Sequence, residues 1–173
     1  DTATVTLTGQ SGTVTKTVSG NDSTQVVALD SADLTMLGDG AVTISTVTTD
    51  AAGNAATADT TGGFTLDTAA PDALTVALTE DTATAADNIS SNGAVTVTGS
   101  ESGATVEYST DGGSTWGSSF TASVGGNNVT VRQTDTAGNT SATTNLIFTL
   151  DTSAAAPTVV LATDSGSASD DLI

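Results

Sequence analysis

The chain has no cysteine and no histidine. The first absence rules out a disulfide framework and a zinc–thiolate site. The second removes the commonest general base and the commonest transition-metal ligand. Basic residues are nearly missing: Lys and Arg number 2 against 20 Asp and Glu, for a formal net charge of -18. A surface of that sign repels nucleic acid and anionic membranes, so neither is expected as a partner, and it attracts cations. Aromatic residues make up only 3% of the chain. No apolar run approaches the roughly 18 residues that span a membrane, so direct insertion is not expected. No signal-peptide pattern opens the sequence, and any export signal is expected outside it.

What is present is an alternation of apolar residues with Thr. Val5 and Leu7 follow it, as do Val42 and Ile44, then Leu74, Val76 and Leu78. Val95 and Val97, Val129 and Val131, and Leu146, Phe148 and Leu150 repeat it. Each run is short and bounded by Gly, Asn, Asp or Ser. A period of two with outward β-branched residues predicts half-buried strands, and many short strands predict an all-β sandwich or barrel. The alternation is too regular for a solvated acidic tail. Ser31–Gly40 breaks the pattern: Leu34, Met36 and Leu37 lie between acids and predict a helical turn.

The sequence also repeats itself. Thr49-Asp50-Ala51-Ala52-Gly53-Asn54 returns as Thr134-Asp135-Thr136-Ala137-Gly138-Asn139, and Phe64-Thr65-Leu66-Asp67-Thr68 as Phe148-Thr149-Leu150-Asp151-Thr152. Val5–Gly9 answers Val95–Gly99, and Pro157 answers Pro71. The repeat is about 85 to 90 residues, the size of a seven-strand sandwich. The boundaries expected are residues 1–67, a repeat lacking its first strand; 68–151, a complete repeat; and 152–173, the first strand and loop of a following one. In the complete repeat the expected strands are 74–78, 94–99, 104–109, 129–134 and 144–150, with a hairpin from 104–109 through Asp111-Gly112-Gly113 towards 116–120. Trp116, Tyr108, Phe120 and Phe148 are expected in or beside the core. Joining Ile173 to Asp1 would nearly restore the internal spacing. That fits one period of a longer array, or head-to-tail donation of the last strand to a neighbouring subunit.

The Asp50–Asn54 and Phe64–Pro71 segments, with their second copies at 134–139 and 148–157, resemble the bacterial Ig-like tandem repeats of giant surface adhesins of the biofilm-associated and RTX types. Val106–Trp116 resembles the middle hairpin of such repeats, and Ala32–Gly40 its counterpart in another subtype. The likeness runs over nearly the whole chain, with one extra Ala in Ala154-Ala155-Ala156. It implies tandem immunoglobulin-like Greek-key β-sandwiches forming a stalk on the extracellular bacterial cell surface, in support of adhesion or biofilm formation. It also implies Ca²⁺ at the junctions between repeats.

Ca²⁺ takes six to eight oxygen ligands, and carboxylates are the abundant ionisable groups here. In an Ig-like layout Asp67, Glu101 and Asp135 converge at one end of the complete repeat. Asp50 and Gln10 hold the matching places in the first, where Gln predicts weaker binding. A second set is Asp81, Asp87 and Asn88, near Asp151, with a copy at Asp164, Asp170 and Asp171. The competing reading is that these acids are solvated or cap their own turns. Catalysis is not expected: Lys16 and Arg132 are the only basic side chains, and Asp170-Asp171 has no aromatic sugar platform beside it. The partners expected are neighbouring repeats of the same chain or identical subunits.

Overall fold

Alternating Val and Leu with Thr makes strands because a β-branched or apolar side chain on every second residue covers one sheet face. In the structure, a computed structural model describing residues 1–20 and 23–159, that pattern gives an almost wholly β chain. The contacts divide it into two units. The first holds Asp1–Asp72, Glu101–Thr105 and Gln133–Ser141. The second holds Ala73–Ser100, Val106–Arg132 and the described residues from Ala142 on.

In the first unit β1 (Thr2–Thr8) and β2 (Thr13–Ser19) form a hairpin, followed by α1 (Ser31–Leu37), β3 (Gly40–Thr49) and β4 (Asp59–Leu66). The sheet order is β2-β1-β3-β4, all antiparallel. β1 is therefore interior: Leu7 faces Val14 on one side and Ile44 on the other. Leu7, Val14 and Val42 are buried against Leu37 of the helix. Seven residues are too few to hold a helix alone, so α1 depends on this packing and on its cap. Asp30 Oδ1 accepts from the amides of Ala32 and Asp33, each at 2.9 Å, and Asp33 Oδ2 accepts from Asp30 N at 2.9 Å. That reciprocal box satisfies orphan donors of the first turn. Lys16 Nζ reaches Asp33 at 2.6 Å and ties β2 to the helix. A Cβ on Gly9 would overlap the Leu37 carbonyl, so only glycine lets the hairpin approach the helix end.

The second unit is built from two sheets. β5 (Thr75–Leu78) pairs with β7 (Val95–Thr98). The other sheet runs β6-β10-β9-β8, with β6 at Ile89–Ser90, β8 at Thr105–Ser109, β9 at Gly125–Thr134 and β10 at Thr144–Leu150. β6 runs parallel to β10, a strand the apolar alternation does not announce because it is two residues long. Both sheets feed one core: Leu74 and Val76 pack with Val129, Val131, Phe148 and Leu150. Phe120 meets Phe148 edge to face, centroids 6.2 Å apart.

β1, β3, β5, β7, β8, β9, β10 and the helical turn lie where the sequence predicts them, within a few residues at their ends, whereas β2 and β4, like β6, are not marked by the alternation. The hairpin beyond β8 is reduced to one bridge, Tyr108 to Gly117. The reason is local. Asp111 accepts from Ser109 Oγ at 2.8 Å, from Thr115 Oγ1 at 2.7 Å and from Thr115 N at 2.9 Å, closing a loop where a ladder would continue. Phe148 is buried, and Tyr108 and Phe120 are half-buried beside the core. Trp116 is half-buried beneath the Arg132 guanidinium, 4.0 Å from its ring centre, and Arg132 also pairs with Glu107 at 2.8 Å.

Candidate functional site

The repeated turn is built by the same polar bonds in both copies. In the first copy, Asp50 Oδ1 accepts from Ala52 N at 2.9 Å and Asn54 N at 2.8 Å, while Asn54 Nδ2 donates to Asp50 Oδ2 at 2.8 Å. In the second, Asp135 Oδ1 accepts from Ala137 N at 2.9 Å and Asn139 N at 2.8 Å, and Asn139 Nδ2 donates to Asp135 Oδ2 at 2.8 Å. Each turn also closes from the Asp amide to the Asn carbonyl at 3.0 Å. Gly53 and Gly138 supply the positive φ between them, 89° and 98°. These bonds favour the carboxylate form: the Asn54 side chain holds Asp50, and the Asn139 side chain Asp135, below the ordinary Asp pKa.

The second turn does more. Asn139 Nδ2 also donates to the main-chain carbonyl of Asp67 at 3.1 Å. Gln133, fully buried on β9, donates through Nε2 to the Asp72 carbonyl at 2.7 Å and accepts from Glu101 N at 2.9 Å. Thr68, following Asp67, donates through its amide and hydroxyl to Asp39 Oδ1 at 2.8 and 2.9 Å. The stretch 67–72 is thus held by amide, carboxylate and hydroxyl groups. Glu101–Thr105 and Gln133–Ser141, which contribute to these bonds, group with residues 1–72.

Of the candidate ligands, Asp67 and Asp135 are brought to one shared side chain, Asn139, whereas the main-chain amide of Glu101 donates to Gln133 Oε1. Asp67 Oδ1 accepts from Ala69 N at 3.1 Å, and Asp151 Oδ1 from Ser153 N at 3.0 Å, so both linker acids close turns of their own. Asp50 serves its turn, and Gln10 packs against Gly40.

The loop between β5 and β6 is different. Asp81 Oδ2 accepts from Ala86 N at 2.6 Å and Asp87 Oδ1 from Ile89 N at 2.9 Å. Ala83, Ala86 and Asn88 all take positive φ, 69°, 71° and 57°, a region that costs non-glycine residues energy. Asp81 Oδ1 is buried with no hydrogen-bond partner. Asp151 leaves β10 beside this loop, its amide bonded to Ser90 O at 2.9 Å. Asp164, Asp170 and Asp171 lie outside the described residues.

For Ca²⁺ the fit is uneven. Among the described residues no three acidic side chains gather where they would hold one ion. At the Asp67–Asp135 end the amide of Asn139 already takes the carbonyl and a carboxylate oxygen. At Asp81 an oxygen stands ready without a donor, and buried polar atoms of that kind are rare.

Spacing alone did not mark Asn54, Asn139, Gln133, Asp39 and Asp111 as important. The Asp-to-Asn interval of four residues inside the repeat was the available signal for the first two. The others act across the chain and leave no local pattern.

No protein-family model and no curated protein matches this chain. A solved structure, from work on host cell surface retention of a 1.5-MDa bacterial ice-binding adhesin, is 24% identical and covers 89% of this chain and 55% of its own, with a TM-score of 0.39. The chain thus spans about half the length of that structure, and at that score the likeness carries no argument. No described helix is long and apolar enough to cross a membrane.

Proposed function

We propose that this chain is a run of structural stalk repeats, immunoglobulin-like Greek-key sandwiches, from an extracellular bacterial adhesin, and that it carries no catalytic centre. The observation that carries the reading is the duplicated turn, whose four bonds agree to within about 0.1 Å between copies while the loops around them differ. Selection for a repeated joint fits a spacer; selection for a site would favour one copy. The second unit supports the Ig-like part of the reading, with one two-stranded sheet facing a four-stranded sheet whose edge strand runs parallel to its neighbour. A hollow of about 540 Å³ in that unit is lined by Tyr108, Phe120, Leu150 and small residues, with no carboxylate or amine to act on a substrate.

Calcium belongs to the proposal. The Asp81–Asn88 loop is its stronger site, because the buried Asp81 Oδ1 lacks a donor, with Asp87 and Asn88 in the same loop. Asp67, Glu101 and Asp135 form the weaker one. A bound cation supplies charge neutralisation and, by binding only the folded state, stability.

Sedimentation velocity at high concentration, with calcium present, tests the spacer. A monomer is expected, and a polymer that disappears when Pro157–Ile173 is deleted would instead establish a strand-donating filament. Melts with calcium and with chelator test the ion. Calcium raises the midpoint, Asp81→Ala removes most of the rise, and Asp67→Ala with Asp135→Ala removes the rest. An unchanged midpoint discards calcium and leaves the spacer standing.

A further inference from the structure

The two copies of the turn differ at one bond. Asn139 Nδ2 serves both Asp135 Oδ2 and the Asp67 carbonyl. Asn54 Nδ2 serves Asp50 Oδ2 alone among the described residues, and the residue is exposed. The linker that Asn139 grips is duplicated too. Asp67 turns onto Ala69 N as Asp151 turns onto Ser153 N, and both follow the Leu that ends the last strand of a repeat. The Asp151 carbonyl has no donor among the described residues. One chain therefore carries a complete bond between Asn and linker carbonyl, together with the unpaired donor and the unpaired acceptor of a second.

We propose that Asn54 of one repeat array grips the Asp151 main-chain carbonyl of the array preceding it in the same polypeptide, reproducing the Asn139–Asp67 bond. The partner is defined by its chemistry: a Leu-Asp-Thr linker whose Asp side chain is occupied by its own turn, so that the main-chain carbonyl is the acceptor left for the amide. A neutral amide suits this contact in a chain of net charge -18, because it adds no charge next to the Asp50 carboxylate. One hydrogen bond cannot hold two separate molecules against lost translational freedom, whereas covalent succession raises the effective concentration enough for it to form. The inference rests on the reading of the chain as tandem repeats.

The test is a head-to-tail fusion of two full chains, read by amide hydrogen exchange. Exchange at Ser153 of the leading copy slows about two- to tenfold relative to the single chain, the range one net hydrogen bond provides. Asn54→Ala in the trailing copy restores the single-chain rate. Asn139→Ala, in fusion or single chain, speeds exchange at Ala69 by a similar factor. Equal Ser153 rates in the fusion, its Asn54→Ala variant and the single chain overturn the grip, and so does slowing that Asn54→Ala leaves untouched. Slowing in a concentrated solution of single chains would show that covalent succession is unnecessary and overturn that part. A fusion whose trailing copy fails to fold overturns the tandem reading, and the grip with it.

Discussion

The two units begin from closely related strands and place them differently. β1 and β7 share a Val-Thr-apolar-Thr-Gly pattern. β7 pairs with β5 in a small sheet of its own, while β1 sits between β2 and β3 in a sheet of four. Backbone groups at a strand edge need partners, and the partner within reach decides. The second unit has β5 beside β7. In the first, among the described residues, β1 takes the neighbouring hairpin arm β2 on one side and β3 on the other. The cores follow suit. A sheet covers Val129 and Val131, whereas a seven-residue helix covers Leu7 and Val42. Local pattern thus fixes that a segment is a strand, and context fixes with which strand it pairs.

The strongest challenge to this contrast is core truncation. Phe148→Ala lowers the stability of the second unit by about 3–5 kcal/mol and Leu37→Ala that of the first by about 2–5 kcal/mol. Exchange at Val131 and at Leu7 reads each unit separately. A substitution that loosens both equally would show that the two do not unfold apart. Next in size is Gln133→Leu, which strips the donor from Asp72 O and the acceptor from Glu101 N. A cost of about 1–3 kcal/mol in denaturant unfolding is expected. Thr48, at the matching place in the first unit, is exposed, so Thr48→Val changes little there. Asp30→Ala removes the helix cap and costs about 1 kcal/mol, confined to the unit that has a helix.

The smallest effect is one of pH. The Thr115 hydroxyl, then its amide and the Ser109 hydroxyl, hold the Asp111 carboxyl down at about 2. A group depressed on folding contributes fully above its unfolded pKa and loses that contribution as pH falls through its folded value. The 109–115 loop therefore weakens between about pH 4 and pH 2, and the Thr115 amide resonance should move through that window. A midpoint near the ordinary Asp value would mean that the loop is open.

Much of the fold was legible because period-two alternation and glycine-bounded turns are local signals. They marked 74–78 and 144–150 nearly as they stand, and the helical turn at Ser31. They did not show β6, too short for a period, or β2 and β4, or the insertion of β1 between β2 and β3, which depends on long-range pairing. In the candidate site, the repeat showed that Asp50 and Asp135 matter. It did not show that their oxygens are used chiefly as backbone acceptors, since a carboxylate meeting an amide and one awaiting a cation read alike in sequence.

The place of Trp116 under Arg132 has a practical consequence. The chain has one Trp and one Tyr, and both belong to the second unit. Indole fluorescence therefore reports a single unit, while far-ultraviolet dichroism sums both. The difference between the two signals on unfolding isolates the optically silent half without a label.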